Sequence, residues 1–561
     1  MRYARKNLKW DGWGWQGRSF DLEGREDLLL SFLSEQLGLD GPLPETPTRP
    51  RASFRPPTPR LADAARHAIA AAIGDTHVHI DDDERVFHAF GRSYRDLLRM
   101  RHGTVEHYPD AVVYPGDADE VAAVLRLASE HGFAVVPFGG GSSVVGGVDP
   151  LTGRHPAVVT LDTTRLDKVI SVDATSHTAV IQAGIYGPEL EDQLQARGFT
   201  LGHYPQSFEF STLGGWIAAR SSGQQSNRYG SSEKFLVSVR VATPGGELRT
   251  VTVPKRAAGP DLNHLIAGSE GVFGVIVDAT VKIHDVPETR DYRGVLFPDF
   301  ETGIAAMRRI NQAELPVAMM RLSDVPETYF FGKFASLGKE QNLVKDLFKK
   351  GLALKGLDES PCVMLIGFEG SRPTVRFSRT QAMKICWQEG GFPVGPKPGR
   401  NWYRGRFEMP YLRDQLMNRG MGVDTLETAT SWANIPRLHR VVRDAIRGAI
   451  AKRGRECLVL AHISHSYPHG ASLYFTFVFE RDREDELGQW YEIKQAAGDA
   501  IVGNGGTISH HHGVGVDHRP WMARELGPIG ARMVEAARAE VDPTGVLNPG
   551  KLIPDVSSGD E

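Results

Sequence analysis

The feature that most constrains the fold is a stretch from about residue 105 to 286 in which strand and helix patterns alternate, punctuated by glycine-rich runs. Asp117 stands as a helix N-cap with Glu120 three places on. Val121, Val124, Leu125 and Ala128 recur on one face, and Gly132 closes the last turn. Phe133 to Pro137 then reads as a short buried strand, followed by further strands at Ala157 to Leu161, Thr178 to Ala183 and Leu236 to Val241. Thr243-Pro244-Gly245-Gly246 makes the turn of a hairpin into Glu247 to Val253. Alternation of this kind predicts an α/β domain.

On either side of it the punctuation changes. Residues 41 to 60 carry Pro42, Pro44, Pro47, Pro50, Pro56, Pro57 and Pro59, the composition of an extended connector behind a small N-terminal unit. From about 287 to 490, long helical patterns mix with β-rich runs such as Val363 to Phe368 and Ser472 to Phe479, which predicts an α+β substrate domain. The expected segments are therefore 1–60 (helical unit and connector), 61–104 (helical lead-in), 105–286, 287–496 and 497–561.

Composition removes several classes of function. The chain has 65 basic and 69 acidic residues among 561, a formal charge of −4, so no dominant surface for nucleic acid is expected. Three cysteines, Cys362, Cys386 and Cys457, have no CxxC spacing and indicate neither a disulfide framework nor a thiolate zinc site. No run of about 18 apolar residues occurs, so the expectation is a soluble or at most membrane-peripheral protein that works on small molecules.

Two runs carry chemistry. Pro137-Phe138-Gly139-Gly140-Gly141-Ser142-Ser143 follows a strand, and its glycines free backbone N–H groups to turn toward an anion such as a pyrophosphate, with serine hydroxyls as further donors. Ser509-His510-His511-His512-Gly513 places three imidazoles side by side inside the chain, where an expression tag is not expected.

Together with Pro205-Gln206-Ser207-Phe208-Glu209-Phe210-Ser211, the following Ala218-Ala219-Arg220-Ser221, and Glu270-Gly271-Val272-Phe273-Gly274-Val275-Ile276, the glycine run resembles the FAD-binding domain of the vanillyl-alcohol oxidase and p-cresol methylhydroxylase superfamily. The resemblance implies a two-part α/β FAD-binding domain over 105–286, an α+β cap domain with an antiparallel sheet, and a C-terminal helical segment bearing the histidines. It also implies that residues 137–143 wrap the flavin diphosphate, that 205–211 and 218–221 approach the ribityl chain and isoalloxazine, and that 270–276 complete the groove. The glycine loop contains no His, and all three cysteines lie beyond residue 360, so the FAD is expected to be non-covalent.

Leu8-Lys9-Trp10-Asp11-Gly12-Trp13-Gly14, Arg321-Leu322, Tyr411-Leu412-Arg413-Asp414, Ala471-Ser472-Leu473-Tyr474-Phe475, the triple-histidine run and Asp542-Pro543 look like the alkyldihydroxyacetonephosphate synthase family. That likeness implies exchange of the acyl chain of acyl-dihydroxyacetone phosphate for a fatty alcohol in ether-lipid synthesis, through a flavin N5 adduct and without net redox change. Tyr474 would move the substrate proton, His510, His511 and His512 would shape and polarise the site, Arg413 would bind substrate, and Arg321 would be needed for activity. A tyrosine needs cationic or hydrogen-bonding neighbours to act as a base at neutral pH, and an arginine fork suits an anionic head group.

The second reading is an FAD-linked dehydrogenase or oxidase of a D-2-hydroxy acid or a phosphorylated alcohol. Metal-dependent members of that group use His, His and Glu ligands, and the matching positions here look like His462 or His465, Tyr474 and His511, so two of the three ligands look changed. His462, His465 and His511 could assemble a nitrogen site, but with no carboxylate partner evident in the sequence a hydrogen-bond network is preferred and no metal is assigned. A homodimer, peripheral membrane contact and a cytoplasmic setting complete the expectations.

Overall fold

The computed structural model describes residues 5–338 and 361–552. Residues 1–4, 339–360 and 553–561, which fall in the first, fourth and last of the expected segments, lie outside the described residues.

The α/β expectation is met by two sheets. In the first, the spatial order is Val78–His79, Ala111–Val113, Val158–Asp162, Ala134–Phe138. Its last three strands are parallel, so a crossover is needed, and the helix Ala118–His131 supplies it. That helix is capped by the Asp117 side chain and ends on left-handed Gly132, and the expected apolar face packs on Val135 and Val159. The second sheet orders Val169–Asp173, Thr178–Gln182, Val275–Lys282, Leu236–Thr243 and Gly246–Arg249, all antiparallel. The hairpin strand stops at Arg249, short of the expected Val253. Val251 is 59% exposed and has no apolar surface to cover.

The cap carries a seven-stranded antiparallel sheet, ordered Phe392–Gly395, Thr289–Phe297, Cys362–Gly370, Met319–Ser323, Cys457–Ile463, Gly470–Glu480, Met421–Ser431. Side chains alternate across a strand, and that period decides which residues can do chemistry. Leu473, Phe475 and Phe477, with Ala461, Ile463, Met320 and Leu322, enter a core shared with helices Ile435–Ala451 and Glu486–Gly503. Tyr474, His462 and Arg321 therefore point from the opposite face. The expected break at 496/497 falls within the helix Glu486–Gly503.

The proline-rich segment is held along its length. Thr46 N–H donates to the Asn418 carbonyl (2.7 Å), Arg101 Nε to the Thr46 carbonyl (3.1 Å) and Arg85 to the Pro57 carbonyl (2.7 Å). Residues 5–20 fold back over the glycine loop: Arg5 reaches the Gly139 carbonyl and Asp162, and Trp13 packs edge-on against Phe210 at 4.9 Å.

Candidate active site

Register builds one row of side chains across the cap sheet. Tyr474 lies directly opposite Glu427 on one neighbouring strand and His462 on the other. Directly opposed residues share a face. His462 stacks on the Tyr474 ring at 5.0 Å, and its Nδ1 is 2.9 Å from Glu327 Oε1 and 3.2 Å from Arg321 Nη2. Arg321 also donates to Glu327 (2.9 Å), so its guanidinium braces His462. Burial works against ionisation of Glu327, but His462 and Arg321 bring its pKa down to about 2. Burial likewise pushes the Tyr474 phenol up to about 12.

The histidine run lies in the loop between helices Glu486–Gly503 and Met522–Val541, and two glutamates pin it, Glu427 buried and Glu270 half-buried. From the cap, Glu427 is 0% exposed. It accepts the backbone N–H groups of His510 (2.6 Å), His511 (3.1 Å) and His512 (3.0 Å) and the Ser509 hydroxyl (2.9 Å). From the FAD-binding domain, Glu270 accepts N–H groups of Val514 (3.0 Å) and Gly515 (2.8 Å). Gly515 is obligatory here: its φ is +53° and a Cβ would meet the Val145 carbonyl oxygen at 2.0 Å.

The imidazoles form one network. His510 Nδ1 and His511 Nδ1 share a hydrogen bond (2.9 Å), His510 Nε2 meets the Tyr467 hydroxyl (2.7 Å), and His465 Nδ1 meets the Ser226 hydroxyl (3.0 Å). Burial lowers the pKa of His465, His510, His511 and His512, so neutral imidazoles surround Tyr474. The His511 and His512 ring centres lie 6.1 and 5.6 Å from that of Tyr474. His465, His510 and His511 hold nitrogens within 4.8 Å of one another, a different trio from the one the sequence suggested. His462 instead belongs with Glu327. The Nδ1–Nδ1 hydrogen bond and Glu427 give these rings partners that need no ion.

The glycine loop fits a diphosphate. Gly140, Gly141 and Ser142 make no hydrogen bond to protein among the described residues, although Gly140 and Gly141 are buried. Buried amides of that kind require an acceptor. A Cβ on Gly140 would meet the Phe210 carbonyl oxygen at 1.8 Å, so the loop is packed directly on the 205–211 segment. Within that segment Gln206 donates to the Arg406 carbonyl (2.7 Å), the Ser211 hydroxyl accepts from Trp216 (2.7 Å), and Glu209 pairs with Arg18. Ala218 accepts from the Glu270 amide (2.9 Å), which joins the second and third motifs. The Arg220 side chain is exposed and turns to His264 (3.1 Å), away from the place beside the cofactor expected for it.

Arg413 lies over the Trp13 ring at 5.4 Å and donates through Nη1 to the Arg92 carbonyl (3.1 Å). Its Nε and Nη2 are buried without a hydrogen-bond acceptor, Nε lying 3.9 Å from Asp414 Oδ1, so both are able to donate to an anion. Glu427 and Glu327 are the residues that sequence reasoning passed over, and Glu270, expected only as part of the cofactor groove, also holds the histidine loop. No local signal marks Glu427: its partners lie 82 to 85 positions away.

Comparison with known proteins agrees with this geometry. Residues 109–252 match the family described as the FAD binding domain, and residues 286–552 match the C-terminal domain of FAD linked oxidases. A curated alkyldihydroxyacetonephosphate synthase of Dictyostelium discoideum is 35% identical over 98% of this chain and 94% of its own. One of Trypanosoma brucei brucei is 33% identical over 100% of this chain and 94% of its own. A solved structure of an alkyldihydroxyacetonephosphate synthase superposes with a TM-score of 0.83 at 33% identity, covering 98% of this chain and 99% of the other.

Proposed function

Because the chain belongs to the alkyldihydroxyacetonephosphate synthase family of FAD-linked enzymes, we propose that it exchanges the acyl chain of acyl-dihydroxyacetone phosphate for a fatty alcohol. FAD is the cofactor and a small molecule the substrate. The observation that carries the reading is the placement of Tyr474 between Glu427 and His462, under the histidine loop, in a chain similar to these synthases from end to end.

When bound, FAD supplies a centre that holds and releases a three-carbon skeleton with no net redox change. The chain's own residues do the rest. With its pKa near 12, the Tyr474 phenol carries a proton at neutral pH. To take a substrate proton it must first pass its own to a neighbour, and the neutral imidazoles beside it are the available acceptors. Arg413 Nε and Nη2 hold the anionic head group. Arg321 acts through Glu327 and His462 to fix the ring that stacks on Tyr474.

Non-covalent FAD is supported by the loop's lack of His and by Cys362 and Cys386 being buried in the cap. Among the described residues no helix is long and apolar enough to cross a membrane. Peripheral contact is supported by Ile529 (67% exposed) and Met533 (68%) on the helix that follows the histidine loop. A cytoplasmic homodimer is inferred on resemblance alone.

Anaerobic flavin absorbance tests the proposal. Palmitoyl-dihydroxyacetone phosphate should bleach the holoenzyme, and hexadecanol should restore the spectrum with an ether lipid formed and no electron acceptor consumed. Bleaching by a D-2-hydroxy acid, reversed only by an oxidant, would overturn it.

A further inference from the structure

We infer that Glu427 is a positioning residue that fixes where the protons of the histidine run sit, holding His511 and His512 as Nδ1–H tautomers with Nε2 left as the acceptor. Three consecutive backbone N–H groups and one hydroxyl converge on its carboxylate, more donors than are needed to anchor a turn. A buried carboxylate with that many donors stays ionised. Burial alone would raise its pKa; with the imidazoles kept neutral by their own burial, it is the N–H and O–H dipoles aimed at it, the His511 amide among them, that hold it well below the usual range.

Its oxygens lie 3.7 Å from both His511 Nδ1 and His512 Nδ1. That is beyond a hydrogen bond, yet close enough for the negative charge to favour the proton on the near nitrogen. The choice then propagates. His511 Nδ1–H donates to His510 Nδ1, which leaves His510 its proton on Nε2, donated to the Tyr467 oxygen. One carboxylate thus orders the polarity of a chain of three side chains and leaves His511 and His512 able to receive a proton beside Tyr474. The catalytic consequence rests on the acid–base reading proposed above; the tautomer assignment does not.

The test uses holoenzyme labelled with 15N-histidine, with each signal assigned by its loss in a single His→Gln variant. Wild type should show His511 and His512 as Nδ1–H tautomers, and E427Q should convert them to Nε2–H. The charged and titratable groups facing the run are Glu427, Tyr467, Tyr474, His462, His465, His518, Glu233, Asp424 and Lys494. Of these, the Glu427 carboxylate does most to favour a protonated imidazole, so E427Q should move the acid limb of the kcat profile to lower pH by roughly one unit. S509A removes one donor without touching the charge and should leave tautomers and acid limb in place. Nε2–H tautomers in wild type, or an unchanged tautomer pattern and acid limb in E427Q, would overturn the inference. The wild-type spectrum decides the first point even if E427Q fails to fold. Because the spectrum needs no lipid substrate, a failed synthase assay would leave the tautomer result standing.

Discussion

Glu427 and Tyr474 face each other across adjacent antiparallel strands, and the Glu427 carboxylate closes over the backbone of the histidine loop while Tyr474 lies beneath its rings. The phenol is thereby enclosed by a stacked imidazole on one side and the loop on the other. Y474F keeps the ring stack and removes only the proton carrier. It should lower kcat by about 10²- to 10⁴-fold, the usual range for a general acid–base group. Flavin absorbance and thermal midpoint should stay at wild-type values; a kcat within threefold of wild type would remove Tyr474 from the chemistry.

The unshared donors of Arg413 make a prediction about binding. R413A removes the two buried guanidinium nitrogens that have no hydrogen-bond acceptor in the protein, so KM for the phosphorylated substrate should rise about 10- to 100-fold, the effect of losing a charge-assisted pair. R413K keeps the charge but not the planar fork, and should recover little of the loss. Steady-state kinetics with phosphorylated and unphosphorylated acyl-dihydroxyacetone separates the cases, since only the former should lose its advantage.

Gly140 tests the cofactor loop. Its missing side chain lets the loop sit on the Phe210 carbonyl, where a Cβ would come within 1.8 Å of the oxygen. G140A must push the proposed diphosphate loop off the 205–211 segment. The variant should purify with little or no flavin while far-ultraviolet circular dichroism is retained, and a normal flavin-to-protein ratio would count against the loop's assignment.

How far the sequence revealed all this depends on range. The helix after Asp117 and the two strands that follow it were legible because capping and periodicity are local, and the structure reproduces them within a residue or two. Tyr474, Arg413 and the histidines were legible through likeness. Glu427 was not: Thr425-Leu426-Glu427-Thr428 reads as an ordinary strand with a solvent-facing acid. Only pairing register turns it inward, and only the return of a loop more than 80 residues later gives it partners. The same holds for Glu327, whose meaning comes from His462, 135 positions on. Likewise the proline-rich run looks like a free spacer until Asn418 and Arg101 are seen to hold it.

Glu270 carries a pH dependence whose sign can be worked out. Burial raises its carboxyl from the ordinary 4.5 to about 7, while the N–H groups of Gly515 and Val514 offset part of the rise. The folded protein therefore binds this proton more tightly than the unfolded chain does. Its contribution to stability is fully present below pH 4.5 and is lost as pH rises through about 7. E270Q keeps an amide oxygen for the loop and cannot ionise, so it should flatten that part of the curve. Measured from pH 4.5 to 8, the thermal midpoint of wild type should fall relative to that of E270Q by a few degrees, with the change centred between 5 and 7. Parallel curves would mean that Glu270 is ionised throughout and that its hydrogen bonds to the histidine loop outweigh the cost of burial.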